Sequence, residues 1–121
     1  MTDAVHQQID NLVHEQDIVL FMKGTPQFPQ CGFSQRVAAM LEQQDVSYAA
    51  VNVLLDPAIR EGIKSYTDWP TIPQLYVKGE FVGGCDIITE MTLSGELDTL
   101  FEQNGITFNK EAADKIRETN A

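Results

Sequence analysis

Cysteine is scarce in this chain. Only Cys31 and Cys85 occur in 121 residues, too few for the disulfide framework of a small secreted domain, so a reducing compartment is the better expectation. Basic residues are scarce too: 8 Lys and Arg stand against 18 Asp and Glu, a formal net charge of -10. That balance argues against nucleic acid or an anionic membrane as a partner, and it fits a basic protein partner. No apolar run approaches the ~20 residues of a membrane span. The opening "MTDAVHQQID" lacks a basic stretch followed by an apolar one, so no secretory signal is expected. The expected location is the cytoplasm, or an organelle matrix for a processed form. His6 and His14 are the only histidines, and both read as surface residues of a first helix. Ser-His-Asp, Walker, Rossmann and His-rich metal signatures are missing, as are internal repeats and low-complexity segments.

What is present reads as one α/β domain. Val5, Ile9, Leu12 and Val13 mark one face of a helix over 4–15. "DIVLFMKG" is a short continuous apolar run ending in Lys-Gly, the pattern of a strand covered on both faces. Pro26 and Pro29 make "TPQFPQ" a loop. A helix over 33–44 turns Val37, Met40 and Leu41 inward, and "SYAAVNVL" reads as a second strand. Asp56 caps the next helix, with Pro57 in its first turn and Ile59 and Ile63 one turn apart. "PQLYV", "KGE" and "FVGG" read as a hairpin. Asp86 is expected to cap a helix carrying Ile87, Ile88 and Met91, and Leu97, Leu100 and Phe101 mark a last one. The order α-β-α-β-α-β-β-α-α implies a small mixed sheet flanked by helices. Residues 1–104 form the expected domain, and 105–121 an expected tail that is frayed or partly helical.

Cys31, in "PQCGFSQ", carries the chemistry. It follows a strand and loop and directly precedes a helix, where free amides and the helix dipole favour negative charge. A cysteine so placed should be partly thiolate near neutral pH. Lys23 can add a positive charge, and Gly32 allows close approach of a ligand. The plain alternative is a buried, inert thiol. Ser34 stands where a Cys-x-x-Cys pair would have its second thiol, so an adduct on Cys31 must be resolved from outside. The thiolate can also serve as a soft ligand to iron or zinc, though one cysteine is too few for a complete site. Cys85 is either a packed small side chain or a resolving thiol.

Two further stretches offer binding groups. In "WPTIPQL", Pro73 cannot donate a ladder hydrogen bond, and a cis bond there would leave the Ile72 backbone to pair with an extended ligand. A simple turn explains the same residues. Lys23, Arg60 and Lys64 can form a carboxylate-binding patch, or they are ordinary solvated charges. Gly84 in "GGCD" permits close backbone approach, and Asp86 can meet an ammonium group.

Taken in order, "MKGTPQFPQCGFS", "IREGIKSY" and "WPTIPQLYVKGEFVGGCDI" resemble the monothiol glutaredoxins of the CGFS type. The resemblance spans roughly residues 5–103 and implies a thioredoxin-like (glutaredoxin) fold with a four-stranded mixed sheet and a cis peptide before Pro73. It also implies a glutathione site. Lys23 and Arg60 would hold the glycine carboxylate, and Thr71 and Ile72 would pair with the cysteine residue. Cys85 and Asp86 would meet the γ-glutamyl end, and Phe33 would line the loop side, with Gln35 and Lys64 as looser candidates. The implied cargo is a labile [2Fe-2S] cluster between two protomers, each giving Cys31 and one glutathione thiol. Implied partners are a second protomer, a BolA-like protein and apo iron–sulfur recipients. The alternative is a glutathione-dependent oxidoreductase that frees glutathionylated protein thiols, with weak activity expected. A redox-sensing module that uses Cys31, or a Cys31–Cys85 disulfide, is the third reading.

Overall fold

The structure is a computed structural model, and it describes residues 3–119. Its elements are α1 (Asp3–Glu15), β1 (Ile18–Met22), α2 (Gly32–Gln43), β2 (Ala49–Asn52), a 3-10 turn (Val53–Leu55), α3 (Pro57–Thr67), β3 (Gln74–Val77), β4 (Glu80–Gly83), α4 (Cys85–Ser94), α5 (Glu96–Gln103) and α6 (Lys110–Thr119). None of the described helices is long and apolar enough to cross a membrane.

The four strands form one mixed sheet in the order β2-β1-β3-β4. β1 runs parallel to β2 and antiparallel to β3, and β3 runs antiparallel to β4. All five residues of β1 are buried, as its unbroken apolar run requires. Alternate side chains serve two cores. Ile18, Leu20 and Met22 pack with Val37, Leu41, Ile88 and Phe101, while Val19 and Phe21 pack with Ile9, Val13, Ile59 and Ile63. Burying each such side chain stabilises the fold by about 1.5–3 kcal/mol, so the two-faced strand β1 anchors both layers.

The pairing gathers the site at one end of the sheet. Met22, at the end of β1, pairs with Asn52 at the end of β2. Gln74, at the start of β3, pairs with Phe21. The loop after β1, the turn after β2 and the "WPTIP" segment therefore emerge together.

Two expectations change, and for the tail the helical alternative is the one observed. β2 is shorter than "SYAAVNVL", because the Asn52 side chain accepts from the Leu54 amide and turns the chain into the 3-10 segment. Asp86 does not cap α4. Gly84, in extended conformation, is the cap residue, and Asp86 lies inside the first turn, where its charge suits the dipole. The tail forms α6 and packs onto the domain. Asn109 Oδ1 accepts from the Ala112 amide, and the Asn109 amide donates to the Gln44 carbonyl at 2.7 Å. Ala113 is buried, and Arg117 donates to the Thr92 carbonyl at 3.1 Å and to Asp98 at 2.9 Å. Three local expectations hold. Asp56 Oδ1 accepts from the amides of Ala58 and Ile59. Lys78 and Gly79, both at positive φ, make the tight β3–β4 turn, and the Ile72–Pro73 peptide is cis.

Candidate functional site

Cys31 is the N-cap residue of α2, in extended conformation with no side-chain cap bond of its own. Its thiol is partly exposed and faces the free amides of the first helical turn. Burial pushes the thiol up. The backbone amides of Ser34 and Phe33, the Ser34 hydroxyl and the charge on Lys23 more than offset that, so Cys31 titrates below its ordinary value.

Ser34 is fully buried. Its hydroxyl accepts from the Lys23 amide at 3.1 Å, which leaves its proton for the Cys31 sulfur. The side chain that removes a second thiol thus also stabilises the first as thiolate.

The loop between β1 and α2 is held by the backbone. Gln30 donates to the Lys23 carbonyl at 2.9 Å, and Phe28 donates to that of Thr25 at 3.1 Å. Gly24 sits at φ +91, and a Cβ there would lie 2.6 Å from the Phe28 carbonyl oxygen, so only glycine fits. Asn52 Oδ1 accepts from the amides of Gly24 and Leu54, both at 3.0 Å, and pins this loop to the turn after β2.

Two adjoining hollows open beside Cys31. One of about 320 Å³ is lined by Lys23, Cys31 and Lys64 and by Thr71 and Ile72. The other, of about 240 Å³, shares Phe33, Thr71 and Ile72 and continues past Pro73 to Gly84, Cys85 and Asp86. Together they make a groove with a cationic end at Lys23 and Lys64 and the first turn of α4 at the far end. Cys85 is buried at the start of α4, and Asp86 is exposed. Both cysteines are free thiols.

Three proposed site residues lie outside these hollows. Arg60 is one turn before Lys64 on α3, and its Nε is buried without a hydrogen-bond acceptor among the described residues. Gly32 and Gln35 line a different depression, with Arg36 and Ala39, on the outer face of α2. Among the described residues no three His, Cys, Asp or Glu side chains gather as a metal-ligand set.

Sequence reasoning missed two structural anchors. Asn52 was hidden inside an apparent strand. Gln74 is fully buried and begins β3. A polar residue within "IPQLYV" was its only signal.

The low-titrating thiol at a helix start, the groove beside it and the mixed sheet define a class, the thioredoxin-like thiol proteins. The glutaredoxin family pattern matches residues 18–82. The mitochondrial monothiol glutaredoxin-5 of Saccharomyces cerevisiae is 51% identical over 106 residues, covering 85% of this chain and 71% of that protein. A monomeric truncated mutant of Trypanosoma brucei 1-C-Grx1 has a TM-score of 0.78 at 42% identity, covering 85% of this chain and 94% of that one. A buckwheat glutaredoxin–glutathione complex shares the fold, with a TM-score of 0.75 at 24% identity, covering 87% and 97%. The chain belongs to the glutaredoxin family, in its monothiol branch.

Proposed function

We propose that this protein binds glutathione in the groove and carries a labile [2Fe-2S] cluster that it passes to apo-proteins. The observation that carries the reading is the pairing of Cys31 with buried Ser34. A thiol that titrates below its ordinary value stands at the groove mouth, and the position that would hold a competing thiol holds a hydroxyl instead. Lys23, with Arg60 and Lys64 on α3, suits the glycine carboxylate of glutathione. Thr71 and Ile72 would pair with its backbone, Phe33 would cover it, and the first-turn amides of α4 would take the γ-glutamyl carboxylate, with Asp86 for the ammonium. Glutathione then supplies a thiol beside Cys31, and a second copy supplies the same pair, which completes four thiolates around the cargo. Glutathione is held by hydrogen bonds and charge pairs alone, so the cluster can leave with little rearrangement. A BolA-like protein and apo recipients are the proposed partners. The compartment is a reducing one, cytoplasm or organelle matrix.

The test is a visible absorption spectrum of anaerobically purified protein, with and without glutathione, together with iron and sulfide analysis. One cluster per two chains, only with glutathione, is expected. A Cys31→Ala variant that keeps the cluster would sink the reading.

The lowered Cys31 titration also supports a second activity, removal of glutathione from protein thiols. The Cys31 thiolate would attack the glutathione sulfur of a mixed disulfide and release the protein thiolate. A second glutathione thiolate would then attack the adduct, leaving glutathione disulfide and free Cys31. Turnover in a glutathione-coupled assay measures it. With no thiol at position 34, slow turnover is expected.

A further inference from the structure

We infer that Gln74 is the positioning residue that aims the Ile72 amide into the groove; this rests on the glutathione reading above. Gln74 contributes no atom to either hollow and is fully buried at the start of β3. Its Nε2 donates to the carbonyls of Trp69 and Thr71, each at 3.2 Å. Carbonyls only accept, so the amide nitrogen must be the group that faces them. Its Oε1 takes the Tyr76 hydroxyl at 2.9 Å, and the Thr67 hydroxyl lies 3.2 Å away. Burial holds the Tyr76 phenol well above its ordinary value, so it stays a donor at every neutral pH. One end of the side chain is thus fixed by a buried donor, and the other end grips the loop.

The consequence follows from peptide geometry. The Thr71–Ile72 peptide is trans, so its C=O and N–H point in opposite directions. Holding the Thr71 carbonyl inward on Gln74 turns the Ile72 N–H outward, on the stretch that lines both hollows. No acceptor for that N–H stands among the described residues. It is the donor an extended, peptide-like ligand lying along Thr71 and Ile72 would use. Two single-point contacts, at Trp69 and Thr71, bracket Pro70 and keep this loop from rotating the donor away.

Gln74→Glu separates this role from mere packing. It keeps the size and still accepts from Tyr76, but as a carboxylate it presents oxygen to two carbonyls. Protonation restores one donor. The experiment measures S-methylglutathione binding by calorimetry from pH 8 down to pH 5, on folded protein checked by circular dichroism. Wild type supplies the reference profile, in which only the titration of Cys31 at the groove enters. Gln74→Glu should bind about tenfold more weakly at the high end and recover most of that on acidification, roughly the effect of one or two lost hydrogen bonds. Tyr76→Phe keeps the ring and should weaken binding about two- to threefold, and it covers the case in which Gln74→Glu does not fold. Binding unchanged in folded Gln74→Glu, or in Tyr76→Phe if the first variant does not fold, overturns the assignment, as does a Gln74→Glu loss that ignores pH. No binding by wild type would instead reject the glutathione reading on which it stands.

Discussion

The Ser34 hydroxyl accepts a hydrogen bond from the Lys23 amide at 3.1 Å and so joins the end of the central strand to the first turn of α2. The same oxygen carries the proton that faces Cys31. Strand, helix and thiolate are thereby tied at one buried atom.

Removing that atom should raise the thiol. In Ser34→Ala the Cys31 titration moves up toward its ordinary value, because one of the groups that lower it is gone. The rate of alkylation by iodoacetamide, followed against pH, should show its midpoint displaced upward. An unmoved midpoint would remove the hydroxyl from the account. The stability sign follows from the same shift. The folded thiol titrates below the unfolded one, so Cys31 adds stability that is complete above the unfolded-state pKa and is lost as pH falls through the folded one. Cys31→Ser should flatten that part of the stability profile.

Two glycines near the thiol should behave oppositely. Gly24→Ala combines φ +91 with a contact of 2.6 Å to backbone, and it should cost at least about 2–3 kcal/mol in urea unfolding. At Gly32 no atom lies within 4 Å of an added Cβ, and the residue opens a helix. Gly32→Ala should leave stability within about 1 kcal/mol of wild type or raise it. Any loss of glutathione or cluster in that variant then reports on a ligand and not on the fold.

Asn52→Ala should cost about 1–3 kcal/mol, since the amides of Gly24 and Leu54 both lose their acceptor. Hydrogen exchange should quicken at Gly24 and along the loop to Gln30 while the β1 core stays protected. Uniform quickening through β1 would show that the side chain holds the fold at large and not the loop.

The C-terminal helix should depend on Asp98. Its carboxylate is buried on α5 and receives Arg117 at 2.9 Å and Lys110 at 3.4 Å. Asp98→Ala should loosen α6 and cost about 1–3 kcal/mol, because the two cations left behind can reach water. Limited proteolysis should then cut within 104–119 before any other site. Equal cutting rates in variant and wild type would show that α6 is held by its other contacts.

The elements themselves were legible because their causes are local. "IVLFM" is apolar at every position and so belongs at the centre of a covered sheet. Asp56 with Pro57 starts a helix by its own hydrogen bonds, and Lys78-Gly79 closes a hairpin by allowing positive φ. The reactive context of Cys31 was legible for the same reason, since a helix start lies within its own segment. The capping role expected for Asp86 went elsewhere because Gly84, with no side chain, takes the extended cap position two residues earlier. The extent of β2 was misread because Asn52 competes with the ladder for the Leu54 amide.

By itself the sequence determined the class of fold, the cysteine at the helix start, the missing second thiol and most of the residues that line the groove. Only the tertiary structure decided what holds them. Asn52 reaches Gly24, 28 residues away, because β1 and β2 pair in one register. A slip of one residue would turn that side chain to the other face of the sheet. Arg117 meets Asp98, 19 residues away, because α6 folds onto α4 and α5. Such contacts depend on register and on how layers stack, which no short window of residues contains.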